Sequence, residues 1–177
     1  TLDSFSERSP DHSTVSKFRT FLHETGLSEK IFEKINGVLT GAGLILKKGT
    51  AVDATIVRAP TSTKNRKKGR DPEMSSTKKG NNYEFGMKVH AGTDTDTGVV
   101  HSLETTTAKV HDSQMFEHLI RTTEEEVTAD RAYDSASIGG LLEMCGIKNR
   151  ITGKNPKGGK LSEEEKETNK RNSPFRA

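Results

Sequence analysis

The spacing of apolar residues changes period at Lys48, and that change limits the folds open to the chain. Before it, Val15, Phe18, Phe21 and Leu22 recur at helical spacing, and so do Leu27, Ile31, Ile35, Val38 and Leu39. These two stripes predict two short amphipathic helices. Ser13 is the expected cap of the first and Gly26 its stop. Ser28 is the expected cap of the second, which the Gly41 and Gly43 pair ends. After Lys48 the period falls to two. Ala51 to Val57 reads as a strand with Val52, Ala54 and Ile56 on one face and Asp53 and Thr55 on the other.

Beyond that strand, YEFGMKVHAGTD (83 to 94) and VVHSLETTT (99 to 107) flank a short turn and predict a hairpin. Asp112 is the expected cap of a helix over SQMFEHLI, and EEEVTAD leads a short strand to Asp130. SASIGGLLEMCG reads as helix and KNRIT as a further short strand. Gly153 to Lys160 reads as a flexible loop, and Ser162 with Glu165 forms a capping box that opens a last helix. Strand, hairpin, helix, strand, helix, strand, helix is the order of an α/β domain with a mixed sheet. The expected division is a helical segment over residues 1 to 45 and a mixed α/β domain over 46 to 177.

Composition bears on partners. Lysine and arginine total 28 against 25 acids, so the net charge of +3 conceals local segregation. Between residues 64 and 79 lie Lys64, Arg66, Lys67, Lys68, Arg70, Lys78 and Lys79, against Asp71 and Glu73 alone. A basic loop over 60 to 82 suits contact with phosphates, though charge also keeps an unstructured loop soluble. A mean hydropathy of -0.76 predicts a modest core. The single cysteine, Cys145, excludes an intrachain disulfide and fits a reducing cytosol. No apolar run reaches membrane-spanning length, and TLDSFSERSP has no signal-peptide pattern. These features predict a soluble, cytoplasmic protein with no membrane partner.

The residues with candidate chemistry are carboxylates. Asp53 interrupts an apolar strand and Asp130 ends another, and a rigid strand is where a functional acid is best held. Each also has a plain structural reading, as the polar half of an alternating strand and as the cap of a turn. His90, His101, His111 and His118 fall in no tight zinc spacing. Phosphate-binding glycine loops and a nucleophilic serine elbow are absent, so nucleotide hydrolysis and serine chemistry are unsupported.

The blocks PDHSTVSKFRTFL, LKKGTAVDATIVRAPTSTKN, RDPEMSSTKKGNNYEFGMKVHAGTDTDTGVVHS, TTAKVHD and VTADRAY follow in order along nearly the whole chain. Together they resemble bacterial insertion-sequence transposases of the DDE superfamily, most closely the insertion-sequence-five group. The resemblance implies a ribonuclease-H-like domain in which Asp53 and Asp130 are the first two catalytic, metal-binding carboxylates, on strands that become neighbours. Hard oxygen ligands suit Mg2+ or Mn2+, and two such ions about 4 Å apart promote in-line displacement at phosphorus. The implied partner is double-stranded DNA, both transposon ends and target, at the bacterial nucleoid, with copies of the chain assembling on paired ends. The basic loop and Lys88 then lie along the DNA backbone.

The resemblance also implies a third acid, the Glu of a helix after the last strand. SPFRA resembles the lead-in to that block, which implies a chain clipped before it, and clipped at the N-terminus as well. Glu163, Glu164, Glu165 and Glu167 match no such block. Arg131, where related sequences often carry a small residue, is expected to compete with a cation for Asp130. The expected activity is DNA strand cleavage and transfer, impaired in this chain. The alternatives are a non-catalytic DNA-binding remnant and a general ribonuclease-H-like nuclease.

Overall fold

The computed structural model describes residues 10–64, 66, 68–155 and 159–172, leaving aside the side chains of Lys79, Glu165, Arg171 and Asn172. The chain divides into two compact units, residues 1–43 and 44–177.

The first unit holds α1 (His12–Glu24) and α2 (Leu27–Gly41). Asp11, not Ser13, caps α1: its carboxylate accepts the Thr14 N–H at 2.7 Å and the Ser13 hydroxyl at 2.9 Å. A carboxylate one position outside the helix also meets the positive end of the helix dipole, which a hydroxyl does not. Nor does Ser28 cap α2. Gly26, in the left-handed conformation at φ 63°, turns the chain so sharply that α2 already starts at Leu27. Neither helix contains a buried residue.

The second unit is built on a six-stranded mixed sheet. Its strands are β1 (Gly49–Arg58), β2 (Ser75–Lys79), β3 (Asn82–Asp94), β4 (Val100–Thr107), β5 (Glu126–Ala129) and β6 (Lys148–Asn149). β3 pairs antiparallel with β1 on one edge and with β4 on the other, while β1, β5 and β6 run parallel. Three antiparallel strands followed by two parallel ones, in the order β4-β3-β1-β5-β6, make the expected mixed α/β sheet, an antiparallel hairpin joined to parallel strands.

β2 lies inside the stretch expected as the basic loop over 60 to 82. Its polar run SSTKK carries no hydrophobic alternation, and it is a strand because it pairs with Asn82–Gly86 of β3 across a tight turn at Gly80 (φ 62°). The Ser75 and Thr107 hydroxyls meet, which ties β2 to the end of β4.

Helices α3 (Phe116–Leu119), α4 (Ala136–Met144) and α5 (Glu163–Asn172) complete the unit. Phe116 and Leu119 of α3 and Ile138 and Leu142 of α4 pack with Val52, Val127 and Ala129 into one core. Register puts Asp53, Thr55 and Val57 on the opposite face of β1, together with Leu103 and Thr105 of β4, and all five are exposed. The segment after β4 also differs from expectation. His111, not Asp112, is the N-cap of a 3-10 turn (Asp112–Met115), its ring nitrogen accepting the Ser113 N–H, because Asp112 is engaged elsewhere. Residues 156–158 of the loop expected from Gly153 to Lys160, the Glu165 half of the capping box and SPFRA lie outside the described residues and side chains.

Candidate active site

β1 and β5 run parallel, and the last paired rung joins Val52 to Ala129. Asp53, midway along β1, and Asp130, the residue just past β5, come next, so the two acids follow the carboxyl end of the paired stretch. Both are exposed. One oxygen of each is held by backbone: Asp53 Oδ1 accepts the Ala54 N–H at 2.7 Å and Asp130 Oδ1 accepts the Arg131 N–H at 2.6 Å. The second oxygen of each takes no protein partner among the described residues. Asp130 therefore also fills its plain structural role, as the N-cap of a 3-10 turn (Arg131–Tyr133). Arg131 meets it through the backbone N–H, and the guanidinium is exposed. Beside Asp53, a groove of about 340 Å³ runs along β1 past Thr55 to Arg58, which pairs with Glu84 through two hydrogen bonds.

A third carboxylate, Asp112, belongs to the turn that packs against the one Asp130 caps. Lys88 Nζ donates to Asp112 Oδ1 and to the Val110 carbonyl, both at 2.7 Å. Its side chain is only 12% exposed, so Lys88 is used inside the protein rather than on a free surface. The turn Asp112–Met115 packs against the turn Arg131–Tyr133, and the Phe116 and Tyr133 rings lie 5.9 Å apart. Tyr133 is buried, and its hydroxyl has no hydrogen-bond partner among the described residues. Burial pushes the phenol upward, and the charges of Asp112, Asp53 and Asp130 push it further in the same direction.

These groups suit a hard divalent cation in part. Two adjacent carboxylates, each with one oxygen to spare, are the donor chemistry that Mg2+ takes, and that ion needs few protein ligands. Among the described residues, no three His, Cys, Asp or Glu side chains gather closely enough to hold a metal ion.

The other basic residues are dispersed. Lys64, Arg66, Lys68, Arg70 and Lys78 are exposed. Arg70 stacks over Phe85 at 5.2 Å and donates to the Thr61 carbonyl, closing the loop on itself, while Lys78 lies over Tyr83. Lys67 and the Lys79 side chain lie outside the described set.

Sequence reasoning missed a buried polar network at the far end of β1. Asp94 accepts the Leu46, Lys47, Asp96 and Thr97 backbone N–H groups and the Thr97 hydroxyl. Burial alone raises its pKa, but these donors outweigh it and hold the carboxyl below the ordinary value. Thr50 donates to Glu124 and meets His101 Nε2 at 2.8 Å. Burial first, then the Arg121 charge, pushes His101 down to about 4. The apolar flanks of Thr50 and the adjacent GTDTDTG turn were the visible signals, but they named no partners.

Residues 45–174 match the family model described as "Transposase DDE domain". A solved structure, "Cryo-EM structure of piggyBac transposase synaptic complex with hairpin DNA (SNHP)", is similar at 16% identity over 59% of this chain, with a TM-score of 0.38. The matched part is 22% of that chain's length. Among the described residues no helix is long and apolar enough to cross a membrane.

Proposed function

The chain belongs to the transposase DDE domain family, and we propose that it carries part of the catalytic site for metal-dependent DNA strand cleavage and transfer. One observation supports this above all: the Val52–Ala129 rung brings Asp53 and Asp130, 77 positions apart in sequence, to the same end of the stretch over which β1 and β5 pair. Transposases of this family generally use a divalent metal. Asp53 and Asp130 would hold Mg2+ or Mn2+, which when bound supplies charge neutralisation at phosphorus. The protein's own part is to fix one oxygen of each acid on backbone N–H and leave the other facing outward.

Double-stranded DNA, transposon ends and target, is the substrate in this reading, with copies of the chain assembling on it at the bacterial nucleoid. The exposed Lys64, Arg66, Lys68, Arg70 and Lys78 supply phosphate contacts. The blocks around TKKGNNYEFGMKVH and VTADRAY support the insertion-sequence-five-like grouping. A helical segment over 1 to 45 joined to the catalytic domain over 46 to 177 is the corresponding organisation.

Nicking of supercoiled DNA with Mn2+ tests the site. Asp53→Asn and Asp130→Asn each reduce the rate at least about hundredfold while far-UV circular dichroism is unchanged, and an undiminished rate in either variant removes that residue from the site. A second reading, DNA binding without cleavage, is favoured by the absence of a third clustered acid among the described residues. DNA affinity with no metal-stimulated nicking in the unmodified chain identifies it.

A further inference from the structure

The ribbon made by β2 and the start of β3 has no packing role at its tip. β1 pairs with β3 only as far as Gly86, and β4 only as far as Met87. Among the described residues, Asn82, Tyr83 and Glu84 therefore have β2 as their one strand partner. Thr77 to Lys79 and Asn82 to Glu84 form a two-stranded ribbon, closed at Gly80, that continues past the carboxyl end of β1. A two-stranded hairpin is marginal in water without support. Its base has that support: Glu84 is held by two hydrogen bonds from Arg58, and Phe85 is buried under Arg70. Its tip stands free.

The tip carries one kind of chemistry. From Ser76 to Tyr83 there is no acid, and Glu84 at the base is neutralised by Arg58. Lys78, Asn81 and Asn82 are exposed, and Tyr83 is 76% exposed. Lys78 and Tyr83 are cross-strand partners, the ammonium 5.9 Å from the ring centre. A lysine alone keeps an edge strand from pairing with another chain, whereas an exposed tyrosine works against that protection and the asparagines add nothing to it. All four suit DNA: lysine meets a phosphate, asparagine the paired donor and acceptor of an adenine edge, and an apolar ring a thymine methyl. The major groove of B-DNA also admits a two-stranded ribbon.

The ribbon lies where the same duplex can reach it. The groove beside Asp53 is lined at its other end by Arg58 and Glu84, the base of the ribbon. Along extended strands, Asp53 to the Arg58–Gly86 rung spans roughly 17 Å, and on to Asn82 roughly 30 Å. At 3.4 Å for each base pair this is about five to nine base pairs, within one turn of duplex from the acids.

We propose that the β2–β3 ribbon enters the major groove of double-stranded DNA beside the acidic site, with Asn81, Asn82 and Tyr83 on base edges and Lys78 on a phosphate, so that its tip selects the sequence bound. The role rests on double-stranded DNA being the substrate and adds the element that reads it.

The experiment needs no metal. A duplex pool with a randomised central segment is selected on the unmodified full chain in EDTA, and affinities are then measured for one selected and one unselected duplex. Expected is an enriched sequence. Replacing Asn81 and Asn82 together by alanine, or Tyr83→Ala alone, lowers the ratio of the two affinities at least about fivefold. Lys78→Gln weakens both affinities together and lowers the salt slope by about 1. Thermal midpoints stay near that of the unmodified chain, since the replaced residues are exposed. A ratio that neither alanine variant moves overturns the proposal, and so does a pool that is bound without enrichment; both outcomes leave DNA as the substrate. A chain that binds no duplex at low salt overturns the substrate reading and the ribbon's role with it. Variants that bind DNA as before but self-associate in sedimentation assign the tip to protecting the strand edge, and overturn the proposal as well.

Discussion

His101 gives the clearest prediction at the scale of single residues. Its imidazole is neutral in the folded protein down to about pH 4, whereas in the unfolded chain it takes a proton near 6.5. The unfolded state therefore binds more protons between those values, and stability falls as pH drops from about 6.5 to about 4. The loss from this one group is about 3 kcal/mol. His90, also lowered by burial, adds in the same direction, and Asp94 adds its share only as pH falls below the ordinary carboxylate value of 3.8. Urea midpoints of the unmodified chain decline through this window, and those of His101→Gln decline less; equal slopes assign the dependence to other groups. Asp53 was visible in the sequence because it breaks an apolar run. His101 and Tyr133 were not, because what makes them unusual is burial among residues tens of positions away, such as the Thr50–Glu124 pair, 74 apart.

Among the elements, the junction of β1, β2 and β3 depends on Gly86. It pairs with Arg58 on one side and Ser75 on the other, at φ 154°, and a Cβ added there stands 2.0 Å from the Val57 carbonyl oxygen. Gly86→Ala must separate β1 from β3 or shift the register, at more than about 1 kcal/mol, seen as a lowered urea midpoint. Gly80, where nothing lies near and only the left-handed φ matters, tolerates alanine better. An equal effect of the two substitutions removes the close approach as the cause. The hairpin and the strand ending at Asp130 were legible because alternation marks a half-buried strand. β2 was hidden because an edge strand with neither face buried needs no apolar pattern.

For the whole molecule, the proposed DNA contacts predict a steep salt dependence. Each phosphate contact contributes about 0.9 to the slope of log affinity against log salt concentration. Replacing Arg66, Lys68 and Lys78 together by glutamine lowers that slope by about 2–3, with little change in stability, since all three are exposed. A slope that does not move places the DNA path elsewhere, while Lys88→Gln changes folding more than binding because it strands Asp112.

At this scale the two sources of information part. Local pattern was enough for the mixed α/β class and for most elements, and it marked Asp53 and Asp130 as carboxylates at apolar runs, because periodicity and an interrupted apolar run are properties of consecutive residues. The ordered motif blocks also carried the family. Pairing partners, the use of Lys88 inside the protein, the Asp94 and His101 network and the burial of Tyr133 were decided only by the tertiary structure. Each depends on which distant segment lies across a strand or beneath a turn, and burial and hydrogen bonding are set by those neighbours rather than by the residue itself.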